Sequence, residues 1–250
     1  MKNKKQSSTL LNTITVLFLL IFQQSASAVG RFVANIVTHD QRVEYGIFTW
    51  ISIHHIVQML FAILVIVILA KTLKLDFRFS FGDKKVGMRH VADLTIVVLV
   101  FAVIWHIVVH LLGNARMPDY PLNFGNIAGE FGFQLLLSGP SEEILFRALP
   151  ITVLIYSFRK SKTIIRIKWL EISLENIIAA LFFTLAYVRW SLNPFSVSAS
   201  WIQLTLSMVL GLWYGIAYKE SKSIIYPMAM HSVWNVVVVG ARYIHLAFLQ

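Results

Sequence analysis

The stretch FGNIAGEFGFQLLLSGPSEEILFRALPITVLIYSF, residues 124–158, decides how this chain is read. As a helix rising 1.5 Å per residue it would be about 50 Å long, more than the roughly 30 Å of hydrocarbon in a bilayer. It is apolar over most of its length, yet Glu142, Glu143 and Arg147 stand near its centre, just after Gly139-Pro140. Proline removes a helix hydrogen bond, so Gly139-Pro140 predicts a kink. A charge at the middle of a span costs at least about 2.5 kcal/mol, so these three side chains must face protein or water. Glu143 and Arg147 are four residues apart, share a helical face and can pair. Glu142 lies about 100° round the helix, outside that pair. The pattern reads as a supporting ion pair beside a working carboxylate.

The rest of the chain fits a membrane setting. Of 250 residues, 57% are hydrophobic and 14% charged, against about 25% charged in soluble domains. A soluble fold has too few polar residues here to cover its outside, which excludes a soluble enzyme; a disordered chain is excluded as well. Apolar stretches at about 10–30, 46–70, 91–112, 124–158, 176–190, 201–218 and 224–249 predict an all-α, polytopic helix bundle of about seven transmembrane helices. We divide it into N-terminal membrane helices (1–123) and a catalytic-type bundle (124–250), forming one integral unit. Ala26-Ser27-Ala28 resembles a signal-peptidase site, but apolar residues resume at Val29, Phe32, Val33 and Ile36, which favours a retained first span. Absence of cysteine excludes disulfides and thiolate chemistry.

The net charge of +10 is concentrated in alternate loops. Lys2, Lys4 and Lys5 precede the first span. Loop 71–90 carries Lys71, Lys74, Arg78, Lys84, Lys85 and Arg89, and loop 159–175 carries Arg159, Lys160, Lys162, Arg166 and Lys168. Loop 219–223 has Lys219 and Lys222. Arg31 and Arg42 are balanced by Asp40 and Glu44, Arg116 by Asp119, and loop 191–200 has no charge. This alternation predicts seven spans of a multi-pass cell-membrane protein with its N-terminus in the cytoplasm. It also requires residues 124–158 to cross once, as a kinked or partly re-entrant helix.

In the last span, His231 and Asn235 lie four apart and place an imidazole and a carboxamide on one face. Such groups can donate to an oxyanion or exchange a proton, and they can equally join membrane helices by hydrogen bonds. EExxxR (Glu142-Glu143-Ile-Leu-Phe-Arg147) followed by HxxxN (His231-Ser-Val-Trp-Asn235) resembles the CPBP family. These are intramembrane endopeptidases that include CAAX prenyl endopeptidases and bacteriocin self-immunity proteins. The resemblance covers about residues 124–240. It implies Glu142 as general base, His231 and Asn235 as the oxyanion site, and Glu143 and Arg147 as support. The family's middle motif, FxxxH, is represented by Phe183-Thr-Leu-Ala-Tyr187, with tyrosine in the histidine's place. A phenol can donate a hydrogen bond but is a poor base and metal ligand. Zinc on Glu142 and His231 is the cofactor the resemblance brings to mind. The expected function is hydrolysis of a peptide bond near the cytoplasmic side, in a peptide or protein substrate that can be lipid-modified, among membrane lipids and without nucleic acid. A peptidase-derived immunity or binding protein is the second reading. A transporter using the charged cluster as an ion path is the third, without the repeated broken spans expected of one.

Helix depths give a separate estimate of where these groups meet. Counting from the inferred cytoplasmic ends, His231, Tyr187 and the two glutamates lie about 10, 17 and 22 Å deep, so one cavity could hold them. His106 and His110 are spaced for a metal but lie near an outer interface, as does His54-His55, which reads as structural. Gly125-xxx-Gly129 and Gly211-xxx-Gly215 are small faces for close helix packing. The 159–175 segment, with Ile164, Ile165, Ile167 and Trp169 among its cations, is suited to lie on the anionic inner leaflet. The topology is testable with single cysteines on the cysteine-free chain. A Cys in loop 159–175 should react with an impermeant thiol reagent only from the cytoplasmic side; labelling from outside would overturn the charge reading.

Overall fold

A computed structural model describes residues 2–38, 47–113, 117–167, 170–192 and 194–248. Asp40, Arg42, Glu44, Arg116, Lys168 and Trp169, all used in reading the loops, lie outside them. The chain is a helix bundle. Its long helices are α1 (Lys2–Thr38), α2 (Ile47–Leu73), α3 (Lys84–Leu111), α8 (Trp201–Ser221) and α9 (Ile225–Ala247). Among the described residues four helices are long and apolar enough to cross a membrane: Thr9–Thr38 within α1, then α2, α3 and α8. Ile96, Val100, Val103 and Ile107 stand exposed on α3, and Leu60 and Leu64 on α2. Apolar faces of this kind satisfy no soluble protein and suit lipid.

The decisive stretch forms one interrupted helical run. It comprises α4 (Phe124–Phe133), a π turn (Gln134–Ser138), α5 (Gly139–Glu143), a second π turn (Ile144–Ala148) and α6 (Leu149–Ser157). Each π turn ends two residues before a proline. Pro140 and Pro150 would each press their rings on the carbonyl four residues back, Leu136 and Phe146, and both carbonyls lie within π turns. The widened turn relieves that contact, and π turns of this sort gather at functional sites. The predicted kink at Gly139-Pro140 is thus a pair of rephasings, and Pro150 marks the second.

The fifth expected span is shorter than the sequence indicates. Helix α7 (Leu174–Leu185) ends in turns closed by Tyr187 N–H to Thr184 O and Val188 N–H to Leu185 O. The chain then forms a hairpin of β3 (Arg189–Leu192) and β4 (Phe195–Ser198). The basic segment before α7 is likewise a hairpin, β1 (Thr163–Ile167) with β2 (Leu170–Ser173), where Arg166 meets Glu171 across the strands. Neither hairpin was expected from the sequence. Lys219 fastens the first to the bundle through Ser161, Ser173 and the buried Glu175.

The core gathers around the second π turn and α6, where Leu145, Leu149, Ile151 and Leu154 meet Ala179, Phe183, Tyr218 and Ile224. Close helix approach sets its shape. A Cβ on Gly139 would stand 2.6 Å from Ser232 Oγ and 2.7 Å from Met228 O, so α5 lies directly on α9. A Cβ on Gly215 would stand 1.7 Å from Asn176 Oδ1, and one on Gly211 3.2 Å from Ala180 Cβ, so the Gly211-xxx-Gly215 face packs on α7. Gly139→Ala should therefore lower the thermal unfolding midpoint in detergent, by the roughly 1–3 kcal/mol typical of overpacking. Gly132→Ala, where an added Cβ meets nothing within 4 Å, should be neutral or mildly stabilising.

Candidate active site

Glu143 and Arg147 are both fully buried, and Glu143 Oε1 lies 3.2 Å from Arg147 Nη1. The expected pair is formed. The guanidinium is held by charge and ring faces more than by aligned hydrogen bonds. It lies 4.0 Å from the centroid of Phe183 and 5.3 Å from that of Tyr214. The second π turn positions Arg147, α7 supplies Phe183 and α8 supplies Tyr214. Phe183, expected from a motif alone, thus acts as a platform for a cation. Tyr214, which the sequence did not single out, also stacks on His231 at 5.3 Å.

Helix α9 brings His231 to the same carboxylate. Its Nδ1 lies 2.8 Å from Glu143 Oε1, and because an ionised carboxylate can only accept, Nδ1 carries the proton. His231 Nε2 then faces Glu142 Oε2 at 3.8 Å. Glu142 is the partly accessible member of the cluster, its side chain 16% exposed, on a cavity of about 220 Å³. Tyr187 lines that cavity and meets Phe183 edge to face at 5.3 Å. Asn235 is placed differently. Its Nδ2 donates to Ser138 Oγ at 3.0 Å, which ties α9 to the first π turn. Of the sequence-derived residues, Glu142, Glu143, Arg147, Phe183 and His231 converge directly, Tyr187 borders the space, and Asn235 stands one turn away with its amide engaged.

A second imidazole enters from α2. His55 is buried, its Nδ1 lies 2.8 Å from Ser141 Oγ, and its Nε2 lies 3.8 Å from Glu142 Oε1. Phe133 packs against the ring edge to face at 4.9 Å. The sequence reading took His54-His55 as an interfacial pair. His54 does line the cavity, but His55 points into the cluster, because adjacent helical residues diverge by about 100°. The signal was present as an ionisable side chain ahead of a strongly apolar run; its partner could not be read from spacing.

Two imidazoles and a carboxylate face one another here, so zinc must be tested against them. A catalytic zinc takes three protein ligands at about 2.0–2.2 Å. Among the described residues, no group of three or more His, Cys, Asp or Glu side chains is arranged to hold a metal ion. Each oxygen of Glu142 instead faces its own imidazole nitrogen across 3.8 Å. That gap is too long for a direct hydrogen bond and suits a bridging water. The zinc expectation finds no support among the described residues.

Two other clusters lie elsewhere. His106 Nδ1 approaches His245 Nδ1 at 3.0 Å, with the His110 ring 5.7 Å from that of His245. Glu130, buried in α4, is bound by Tyr120, Arg242 and Tyr243, and clamps α4 to α9. Burial and the hydrogen bond to Glu130 push the Tyr120 phenol well above its ordinary pKa, so it stays a donor at neutral pH.

Residues 124–237 match the family model described as type II CAAX prenyl endopeptidase Rce1-like. No curated protein and no solved structure matched the chain.

Removing Arg147 would strand Glu143 in a fully buried position. Arg147→Ala should cost about 3–5 kcal/mol and sharply reduce folded yield. Arg147→Lys keeps the charge without the planar group that lies on Phe183, and should recover only part of the loss. Detergent-solubilised yield by size-exclusion chromatography measures both.

Proposed function

Because residues 124–237 belong to the type II CAAX prenyl endopeptidase Rce1-like family, we propose that this membrane protein is an active intramembrane endopeptidase with Glu142 as its general base. The observation that carries the reading is the division of labour between adjacent carboxylates. Glu143 is consumed by Arg147 and His231, whereas Glu142 faces the cavity. Water held at Glu142 gives a proton to the carboxylate as its oxygen attacks the scissile carbonyl carbon. The carbonyl electrons move onto oxygen, forming an oxyanion. Glu142 then passes the proton to the amide nitrogen as the oxyanion re-forms the carbonyl and the C–N bond breaks, releasing an amine and a carboxylic acid.

His231 is the oxyanion donor in this scheme. Its Nδ1–H is committed to Glu143, so donation to the oxyanion comes from Nε2, which points toward the Glu142 side and carries a second proton in this scheme. Asn235 holds α9 against the first π turn through Ser138, which uses one of the two N–H donors of its amide. Tyr187 bounds the cavity as a hydrogen-bond donor and has no role as a base.

The cavity also bears on substrate entry. It is lined by Gln24, Ser27 and Arg31 of α1, His54 of α2 and Trp190 of β3. The loop charges place these ends of the helices on the outer side. We therefore assign entry to the outer half of the bilayer, in place of the cytoplasmic side that helix depths alone favoured. Phe146, Leu185 and Trp190 give the cavity an apolar border suited to a lipid-modified peptide that arrives already in the hydrocarbon.

The test is hydrolysis of a quenched-fluorescent peptide with a prenylated CaaX end by purified protein in liposomes. Glu142→Gln should lower turnover by at least roughly 10²–10⁴, the usual worth of general acid–base catalysis, with an unchanged unfolding midpoint. Full activity in that variant would sink the assignment of Glu142. A wild-type protein that cleaves neither this peptide nor unmodified ones would give way to the immunity or binding reading, in which the cavity holds a peptide without cutting it.

A further inference from the structure

Tyr187 leaves the motif-derived site with one imidazole, but the assembled site has two. We propose that His55, from α2 and ahead of the segment that the family model matches, is a catalytic residue that holds the attacking water with Glu142. The inference rests on the peptidase reading above and names a residue which that reading does not use.

The two histidines are anchored differently, and the anchors assign their roles. His231 Nδ1 rests on a carboxylate, Glu143, and the scheme above uses its Nε2 as the donor to the oxyanion. His55 Nδ1 rests on a hydroxyl, Ser141 Oγ, at 2.8 Å. That hydroxyl has one proton, and at 3.2 Å it faces the Ser138 carbonyl, a group that can only accept. Ser141 Oγ therefore receives the Nδ1–H of His55, and His55 Nε2 keeps its lone pair. The Nδ1 partner is a hydroxyl, and with the ring proton on Nδ1 the ring serves as an acceptor at Nε2. Its Nε2 and Glu142 Oε1 face each other across 3.8 Å.

Two acceptors at that separation match a water between them, with one O–H toward each. Glu142 removes its proton as the oxygen attacks. The O–H directed at His55 stays intact through the attack, so His55 ends the step neutral and proton balance is kept by Glu142 alone. Its contribution is to fix the remaining proton and thus aim the oxygen lone pair at the carbonyl carbon. Orientation of this kind acts in the transition state and appears in kcat more than in KM. Ser141, one residue before Glu142, positions His55 and makes this geometry part of the same helical turn as the base.

The experiment compares wild type, His55→Ala, His55→Gln and Glu142→Gln in liposomes with the same prenylated CaaX reporter peptide. His55→Ala should lower kcat by roughly 10²-fold or more with KM within a few-fold. Its unfolding midpoint should stay near that of wild type. If alanine lowers that midpoint, His55→Gln keeps most of the side-chain volume and gives the same comparison. Either histidine variant folding normally with wild-type kcat, or raising KM while keeping kcat, overturns the proposal. If Glu142→Gln is inactive in that case, the peptidase reading survives without His55. A wild-type protein that hydrolyses nothing overturns both.

Discussion

A glutamate and an arginine with no solvent exposure, set in a chain this apolar, constrain everything around them. Glu143 and Arg147 are tolerable at such a place only if each is surrounded by groups that replace water. Glu143 draws His231 from α9. Arg147 draws the ring faces of Phe183 from α7 and Tyr214 from α8, and its Nη2 comes within 3.1 Å of where a Cβ on Gly211 would stand. Three helices from distant parts of the sequence are thereby fixed to α5 and the second π turn. The small residues Gly139, Gly211 and Gly215 let the backbones come close enough.

The π turns set the frame in which adjacent carboxylates meet different surroundings. Neighbouring helical residues diverge by about 100°, which sends Glu143 into the ion cluster and Glu142 toward the cavity. The turns at 134–138 and 144–148 bracket this one short helix, α5, and let it sit at its own phase between α4 and α6. Prolines 140 and 150 supply the local reason, since each disfavours the ordinary carbonyl contact four residues back. The sequence thus encodes the rephasing through prolines that lie outside the ion cluster.

The N-terminal helices belong to the site as well as to the membrane. Gln23 of α1 donates to the Leu145 carbonyl within the second π turn, and His55 of α2 bonds Ser141 beside Glu142. Polar side chains in an apolar bundle are costly unless partnered, and these partners join the first two helices to the later ones. The Glu130 clamp joins α4 to the C-terminal part of α9, and the Lys219 network joins the end of α8 to the first hairpin and the start of α7.

Composition, apolar run lengths and the buried charge motif determined by themselves that this is a helical membrane bundle with an ion pair beside a second carboxylate. Those readings follow from local rules: span length, helical period and the cost of charge in hydrocarbon. The identity of the residues expected at the site was also legible, because their motifs are short and lie on single helices. Tertiary structure alone decided which groups meet. It ended α7 before Tyr187, engaged Asn235 with Ser138, set Tyr214 against Arg147 and turned His55 toward Glu142. None of these follows from spacing, because each depends on how helices far apart in sequence pack, and close packing is set by side-chain shape across the interface rather than by period within one helix.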